Sequence, residues 1–379
     1  MSKRIIIFLG CNYKSDLDRI EQKLPVYLSK NNRVLCFEYP QFRKIFKILF
    51  GILPVSEKIS ENLQVFHSFG LFPFGRRISI INKINHIISY KIFKYLRDKK
   101  TKKNTVITFT PEYAYLSGKR NSNSKVIYYI IDNYTSLPFW KSRLAKKQFK
   151  QLEKKIIRQS NQIITASRPL FQKYVKKHPS VHCFPTPYDA KDFVNKSGSA
   201  PSDIINLKKP VIGFSGSFYD WKINLKLLFR AFHYFNECSF VFLGSFRIDS
   251  KKYLKKLKEI NNFHYLGNKN ISLLQDYIDS FDVCIIPYKT DTFGRYAYPV
   301  KINEYLNFGK PVVATLLPAL KDIAQKNFIY MAENGSSFIN QIKKALKETK
   351  NNPLVNRRIK YAFLHSWEKQ IDNLTKLIK

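Results

Sequence analysis

Acidic residues are scarce in this chain of 379 residues. It has 27 aspartates and glutamates against 66 lysines and arginines, a formal net charge of +39. Unpaired charge is too costly to bury, so this excess must face solvent, lipid headgroups or an anionic partner. Nucleic acid, an anionic membrane surface and a phosphate-bearing substrate are the partners that such a charge allows. Because 44% of the residues are hydrophobic, intrinsic disorder is excluded as the main state.

Long apolar runs and paired cysteines are also missing. No stretch reaches the roughly 18 apolar residues of a membrane-spanning helix. The first run, Ile5–Leu9, stops at Gly10, which is short for a signal peptide and typical of a buried strand. The cysteines are scattered, without a Cys-x-x-Cys pair. We therefore expect reduced thiols and a cytoplasmic protein, soluble or attached peripherally to the inner face of the cell membrane.

Short β-branched and aromatic runs alternate with helical patterns along the whole chain. Runs such as Val126–Ile131 and Val283–Pro287 are continuously apolar, as in parallel strands buried on both faces. The best linker is the small, polar segment 196–203. The sequence thus predicts an α/β protein of two βα-repeating domains. Their bounds are 1–199 and 200–355, followed by a C-terminal helical segment, 356–379.

The most informative segment follows the predicted strand that ends at Pro287. A loop leads to a helix that begins near Pro299, with Lys301 in its first turn and Glu304 three residues on. A helix N-terminus offers free N–H donors to a phosphate, which would also offset the unfavourable position of Lys301 in the helix dipole. A carboxylate at Glu304 suits two ribose hydroxyls. The alternative is a solvated Lys–Glu pair on a surface helix.

The string Pro299–Val313 resembles the donor-site signature of GT-B glycosyltransferases, most closely the family 4 and teichuronic-acid-type cell-envelope enzymes. The resemblance implies two Rossmann-like doubly wound domains facing a central cleft. The first would bind the acceptor and the second the nucleotide-sugar, with the C-terminal helix returning to the first. It also implies that Lys301 contacts the diphosphate and that Glu304 holds the ribose. A metal and other cofactors are not expected.

Further segments match the same family in the expected order. They add these candidate donor-binding residues: Gly216, Ser217, Gly267, Asn268 and Tyr288. One departure concerns the position eight residues before Glu304, where many retaining members carry an acid and this chain has Tyr296. The neighbouring Arg295 would pair with phosphate or with an acidic sugar, or else face solvent. The donor sugar and the stereochemistry therefore stay open.

Asp132 is the candidate for proton transfer in the N-terminal half. It follows a buried run, so we expect it at the end of a strand, where an inverting transferase needs a base for the acceptor hydroxyl. The alternative is a structural role at a turn that begins at Asn133. Other patterns are set aside as metal sites: Asp16 and Asp18 suit a helix start, and Pro179 separates His178 from His182.

Two segments combine apolar and basic residues at helical spacing. The first, 41–54, has an apolar side and a basic side and suits an interfacial membrane anchor. Its candidate membrane-binding residues are Phe42, Arg43, Lys44, Phe46 and Lys47. The second, 141–158, carries a basic stripe opposite an apolar one. The alternative for both is an ordinary amphipathic helix packed on the sheet.

The combined prediction is a metal-independent glycosyltransferase that uses a UDP-sugar or another nucleotide-sugar. Its acceptor would be a glycan on a polyprenyl diphosphate, at an anionic inner-membrane surface. The product would be a bacterial capsule, lipopolysaccharide or wall polysaccharide. Two alternatives remain: a basic nucleic-acid-binding protein, which lacks a clear recognition motif here, and a catalytically inactive GT-B scaffold, which the missing acid at Tyr296 would support.

Overall fold

The structure is a computed structural model that describes residues 4–14, 20–73, 78–96, 104–116, 124–137, 142–193, 199–246, 251–349 and 351–379. The chain forms two compact units. The first comprises Met1–Thr186 together with Ile371–Lys379, and the second comprises Pro187–Gln370. The sequence-based prediction had placed the corresponding domain boundaries at residues 200 and 356.

The first unit is built on an eight-stranded sheet of order β3-β4-β2-β1-β5-β6-β7-β8. All neighbours are parallel except β3, which pairs antiparallel with β4. The strands are β1 (Arg4–Phe8), β2 (Arg33–Phe37), β3 (Ser56–Ser60), β4 (Leu63–Phe66), β5 (Asn104–Thr108), β6 (Ser124–Ile130), β7 (Gln162–Thr165) and β8 (Val181–Cys183). The helices are α1 (Ile20–Ser29), α2 (Phe42–Leu49), α3 (Ser79–Leu96), α4 (Arg143–Gln159) and α5 (Arg168–Tyr174).

The second unit is built on a six-stranded, all-parallel sheet of order β11-β10-β9-β12-β13-β14. Its strands are β9 (Val211–Ser215), β10 (Ser239–Leu243), β11 (Phe263–Gly267), β12 (Val283–Ile286), β13 (Val312–Thr315) and β14 (Tyr330–Ala332). The helices are α6 (Ser202–Ile205), α7 (Leu225–Tyr234), α8 (Lys251–Lys258), α9 (Ile271–Asp279), α10 (Lys301–Asn307), α11 (Lys321–Ala324), α12 (Gly335–Leu346) and α13 (Leu354–Leu364). The last helix, α14 (Trp367–Ile378), ends within the first unit.

Both sheets have the strand order of doubly wound Rossmann folds. In the second unit the first strand, β9, lies between β10 and β12, and in the first unit β1 lies between β2 and β5. The order reverses at these points, and open α/β sheets bind their ligands at the carboxyl edge there. The predicted fold class is confirmed. Residues of β9, β10, β12 and β13 are buried throughout, as parallel strands covered on both faces require.

A buried ion pair fixes the far end of α10. Arg358 of α13 is fully buried and contacts both carboxylate oxygens of Glu348, at 2.6 and 2.7 Å. It also donates to the carbonyl oxygens of Phe328 (2.8 Å) and Gly309 (3.2 Å), so every nitrogen of its buried guanidinium is hydrogen-bonded. Gly309 terminates α10 with a left-handed φ of 66°. The helix that carries Lys301 is thereby anchored at its C-terminal end.

Candidate functional site

Three glycines stand at the carboxyl ends of three neighbouring strands. Gly216, Gly244 and Gly267 follow or end β9, β10 and β11 with φ values of 140°, 115° and 70°. The N–H of Gly216 donates to the carbonyl of Leu243 (2.9 Å), and that of Gly244 to the carbonyl of Gly267 (2.7 Å). A Cβ on Gly244 would lie 2.3 Å from the carbonyl oxygen of Gly216. This edge is therefore bare backbone, which a ligand can approach closely.

Lys301 lies against this edge. A Cβ on Gly216 would come within 2.7 Å of both Cε and Nζ of Lys301, and Nζ lies 5.9 Å from the centre of the Phe214 ring. Lys301 is half-buried at the first position of α10. The structure thus brings together two predicted donor-site residues that are far apart in the sequence of the second unit. A lysine acts as a point charge for a phosphate at such a place.

The orientation of α10 is set by Tyr305. This buried residue accepts a hydrogen bond on its hydroxyl oxygen from the N–H of Ser215, the last residue of β9, at 2.8 Å. Burial raises the pKa of the Tyr305 hydroxyl well above its usual value, so the group stays neutral. Helix α10 is thereby tied to the end of β9. Glu304, half-buried and one turn after Lys301, is held on the same segment.

The negative charge of Glu304 also influences the pKa of Tyr188. The hydroxyl of Tyr188 donates to Oδ1 of Asn307 at 2.9 Å, which joins the start of the second unit to α10. Burial, followed by the negative charges of Glu368 and Glu304, raises the pKa of Tyr188. The sequence-based prediction did not include Tyr188 or Tyr305, because neither bears a charge and each matters through burial in the folded chain.

The remaining predicted residues of this edge differ in exposure. Ser217 is half-buried and its Oγ accepts from Oγ of Ser245 at 3.4 Å, whereas Asn268 is exposed. Gly244 and Ser245 were not among the predicted site residues. The signal for them was available, since Gly244-Ser245 follows an apolar strand just as Gly216-Ser217 does.

The loop after β12 carries the other predicted residues. Tyr288 is buried, with Lys222 Nζ 4.4 Å from its ring centre. Its ring is therefore part of the hydrophobic core of the second unit. Arg295 is exposed and Tyr296 is half-buried. Both lie in a tight turn, in which the N–H of Arg295 donates to the carbonyl of Asp291 at 3.0 Å.

Aromatic contacts hold this loop against the loop after β9. Phe293 meets Trp221 edge to face, with ring centres 4.9 Å apart, and Trp221 lies 5.0 Å from Tyr219. Gly294 is required for the turn, because a Cβ there would lie 1.9 Å from the carbonyl oxygen of Lys289. The two loops that flank the strand-order reversal are therefore packed on one another.

Asp132 lies in the first unit, two residues after the end of β6, and is half-buried. Its carbonyl accepts from the N–H of Tyr134 (3.0 Å), and a short 3-10 turn, Tyr134–Ser136, begins there. The neighbouring Asn133 accepts from Lys173 Nζ at 2.5 Å. Asp132 thus stands at a strand end, as predicted, and beside the turn that the alternative foresaw.

The first unit also contains a small cavity near the carboxyl ends of β1, β2 and β5. Its wall includes Glu38, His86, Thr110 and Tyr113. Glu38 is buried and accepts from the N–H of Tyr13 at 2.6 Å. These few polar groups lie in a wall that is otherwise mainly apolar and includes Phe8, Leu9 and Phe37.

Lys44 differs from the other predicted membrane-binding residues. It is 8% exposed and forms an ion pair with Glu38, which also contacts His67 Nδ1 at 2.9 Å. Burial alone would raise the pKa of Glu38, but the hydrogen bond from His67 and the charge of Lys44 outweigh it and lower that pKa. Its burial in this ion pair removes Lys44 from the surface to which the sequence-based prediction assigned it.

The other residues of that group remain accessible. Arg43 and Lys47 are exposed, Phe46 is 50% exposed, and the half-buried Phe42 packs on Phe46 with ring centres 5.4 Å apart. In α4, all of the predicted basic stripe is exposed. Its members are Arg143, Lys147, Lys150, Lys154 and Arg158.

The described residues contain neither a cluster of metal ligands nor a helix that could span a membrane. In that part of the chain no three His, Cys, Asp or Glu side chains are grouped as a metal ion would need, and no helix is long and apolar enough to cross a bilayer. His178 instead lies within hydrogen-bond distance of the carbonyls of Ser180 (2.9 Å) and Ser160 (3.1 Å). Asp16 and Asp18 lie outside the described residues.

Part of the second unit is similar to known glycosyltransferases. Residues 209–348 match the model of the family "Glycosyl transferases group 1". The putative teichuronic acid biosynthesis glycosyltransferase TuaH of Bacillus subtilis (strain 168) is 25% identical over 234 residues, which are 60% of this chain and 58% of that relative. The match therefore spans less than two thirds of the relative's length.

Solved structures resemble the whole chain in fold. Sucrose-phosphate synthase from Thermosynechococcus elongatus superposes with a TM-score of 0.75 at 14% identity, covering 99% of this chain and 98% of that one. Anabaena HepE in complex with UDP and glucose gives 0.68 at 15%, covering 98% of both. WaaG, a glycosyltransferase involved in lipopolysaccharide biosynthesis, gives 0.60 at 11%, covering 94% of both. The chain thus has the GT-B fold of these structures, and within its second unit residues 209–348 match the model of the glycosyl transferases group 1 family.

Proposed function

We propose that the chain is a glycosyltransferase that takes its sugar from a UDP-sugar. The observation that carries this proposal is the contact of Lys301 with the backbone of Gly216, at the strand-order reversal of the family-matched domain. Similar folds support the nucleotide, since HepE is described in complexes with UDP and with UDP-glucose. A half-buried glycine edge without side chains and a nearby ammonium together suit a diphosphate.

In this proposal, Lys301 stabilises the charge that develops on the departing diphosphate. Fixed positive groups are an effective way to stabilise such charge. Arg295, on the packed loop after β12, adds a second cation. Glu304, held by the anchoring of α10 through Tyr305, accepts hydrogen bonds from the ribose. No metal or organic cofactor is needed for this scheme.

We further propose that the acceptor is a growing cell-envelope glycan carried by a polyprenyl diphosphate, and that Asp132 takes the proton of its hydroxyl. The strand-end position of Asp132 supports this role. The printed names of TuaH and WaaG, which concern teichuronic acid and lipopolysaccharide, support the envelope setting.

The exposed basic faces of α2 and α4 would hold the protein peripherally on the inner, anionic leaflet. Each lysine or arginine near such a surface contributes about 1 kcal/mol. The five exposed cations of the α4 stripe alone would give a substantial attraction. The acceptor lipid would then be concentrated in the same plane as the enzyme.

Calorimetric titration of the full chain with UDP-, GDP- and CMP-sugars tests the proposed donor. We expect binding of at least one UDP-sugar and an affinity about tenfold lower in Lys301→Ala, since one ion-pair contact to phosphate is lost. Lys321→Ala, an exposed lysine of α11, is the matched control. Absence of binding to every sugar nucleotide would overturn the proposal.

A further inference from the structure

We propose that the segment Leu49–Val55, the apolar tip, inserts into the headgroup region of an anionic lipid bilayer. This inference rests on the proposed function, because an enzyme that extends a lipid-linked glycan works at such a surface. It adds which part of the chain enters the lipid.

Large apolar side chains of the apolar tip face solvent. Leu49 is 73% exposed, Phe50 76%, Ile52 71% and Val55 40%, and Phe46 of the adjoining helix turn is 50% exposed. Single exposed apolar residues are ordinary, but a contiguous group marks an interaction surface. The sequence-based prediction took 41–54 as a membrane anchor and named Phe42 and Phe46 as its apolar membrane-binding residues. The more exposed Phe50 and Ile52 were not among the residues it named.

A hydrogen-bonded turn presents these side chains. The N–H groups of Phe50, Gly51 and Leu53 donate to the carbonyls of the last turns of α2, at 2.9, 3.1 and 2.9 Å. Gly51 has a left-handed φ of 68°, the usual way to end a helix. The apolar side chains are therefore held outward by an ordered backbone, which lowers the conformational cost of inserting them.

The opposite side of α2 is anchored to the sheet. Lys44 forms its buried ion pair with Glu38, which follows β2 and contacts His67, which follows β4. The exposed Arg43 and Lys47 of the same helix lie beside the apolar tip. The anchor therefore fixes which side of α2 is available to a partner.

Charge identifies the partner as an anionic bilayer. Within residues 41–60 the only acid is Glu57, and its carboxylate contacts Lys14 Nζ at 2.7 Å. Arg43, Lys47 and Lys58 are exposed around the apolar tip. A second copy of the chain, packed face to face through this surface, would bring the same cations together and be repelled. An anionic leaflet accepts both the cations and the apolar side chains.

Vesicle pelleting of the full chain tests the proposal. The vesicles are phosphatidylcholine with or without phosphatidylglycerol, at low and at high salt. We expect the protein to pellet with the anionic vesicles and to remain partly bound at high salt. The double variant Leu49→Ser/Phe50→Ser should bind about tenfold more weakly and be released by salt. Ile205→Ser, an apolar residue of α6 that is 58% exposed, is the matched control and should bind as the wild type does.

A second measurement reports insertion directly. In Phe50→Trp, the added indole fluorescence should be quenched by brominated lipid in anionic vesicles. Pelleting without quenching, or wild-type pelleting of the double variant, would overturn the proposal. So would a dimer without vesicles that the double variant converts to a monomer. UDP-sugar titration without vesicles is run in parallel, because its failure would affect the proposed activity and leave the quenching result intact.

Discussion

The side chain of Lys301 occupies the space that a side chain on Gly216 would need. A Cβ at Gly216 would lie 2.7 Å from Lys301 Nζ, and the φ of 140° at this glycine is itself unfavourable for other residues. The glycine and the lysine therefore depend on each other. The ammonium reaches the end of β9 only because nothing projects from that position.

Gly216→Ala is expected to displace Lys301 and lower the affinity for a UDP-sugar about tenfold or more, with strain of about 1–3 kcal/mol at the alanine. Calorimetric titration and thermal unfolding measure the two effects. Gly335→Ala is the control, because its added Cβ meets only the end of the flexible Arg230 side chain. Unchanged donor affinity in Gly216→Ala would contradict the assigned place of Lys301.

Glu304→Ala is expected to weaken UDP-sugar binding about tenfold, because two hydrogen bonds to a charged acceptor are lost. A donor analogue without ribose hydroxyls separates this role from a general charge effect. The wild type should bind the analogue weakly, and Glu304→Ala should lose nothing further with it. Equal losses with both donors would show that Glu304 does not hold the ribose.

Asp132→Asn is expected to lower kcat about 10²-fold or more while donor affinity stays the same, because the amide cannot accept a proton. Asn133→Ala tests the structural alternative, since it removes the contacts of Asn133 with Lys173 and Thr135 and keeps the carboxylate. Loss of stability without loss of kcat in Asp132→Asn would make it a turn residue.

Arg358→Met is expected to lower the free energy of unfolding by about 3–5 kcal/mol, since Glu348 would be left as a buried, unpaired charge. The double variant Arg358→Met/Glu348→Leu should recover much of this loss. Urea unfolding of the wild type, the single variants Arg358→Met and Glu348→Leu, and the double variant provides the measurement. Additive losses in the double variant would mean that the pair is not coupled.

Glu38→Gln should alter the dependence of stability on acid. The pKa of Glu38 is lowered in the folded chain, so its contribution is present above its ordinary pKa of 4.5 and is lost as pH falls through the folded value. The wild type should therefore lose more unfolding free energy below about pH 4.5 than Glu38→Gln does. Parallel curves for the two proteins would contradict the ion pair with Lys44.

The strongly apolar strands of both sheets could be predicted from the sequence. A strand that is buried on both faces is apolar at nearly every position, which makes it easy to recognise. The strands β3, β4, β8 and β14 carry a weaker signal in the sequence. They are short or partly exposed, and β8 has only the three residues Val181–Cys183. Their formation depends on the neighbouring strand more than on their own composition.

Only the part of the candidate site that lies within one local motif could be predicted from the sequence. Lys301 and Glu304 stand out by spacing on one helix. The contact of Lys301 with Gly216 and the bond between Ser215 and Tyr305 depend on the strand order, which no local pattern contains. In the sequence, Lys44 and Lys47 are equivalent, because both are lysines in the same amphipathic segment. Only the position of Glu38 in the folded chain distinguishes the buried Lys44 from the exposed Lys47.

The return of Ile371–Lys379 to the first unit makes that unit discontinuous in the sequence. Gln162 Nε2, at the start of β7, donates to the carbonyl of Leu377 at 3.1 Å. During synthesis, residues 1–186 emerge first, and their last helical turns follow only after the whole second unit has been made. The first unit is therefore completed last, and a fragment ending at Thr186 would lack the turns that contact the start of β7.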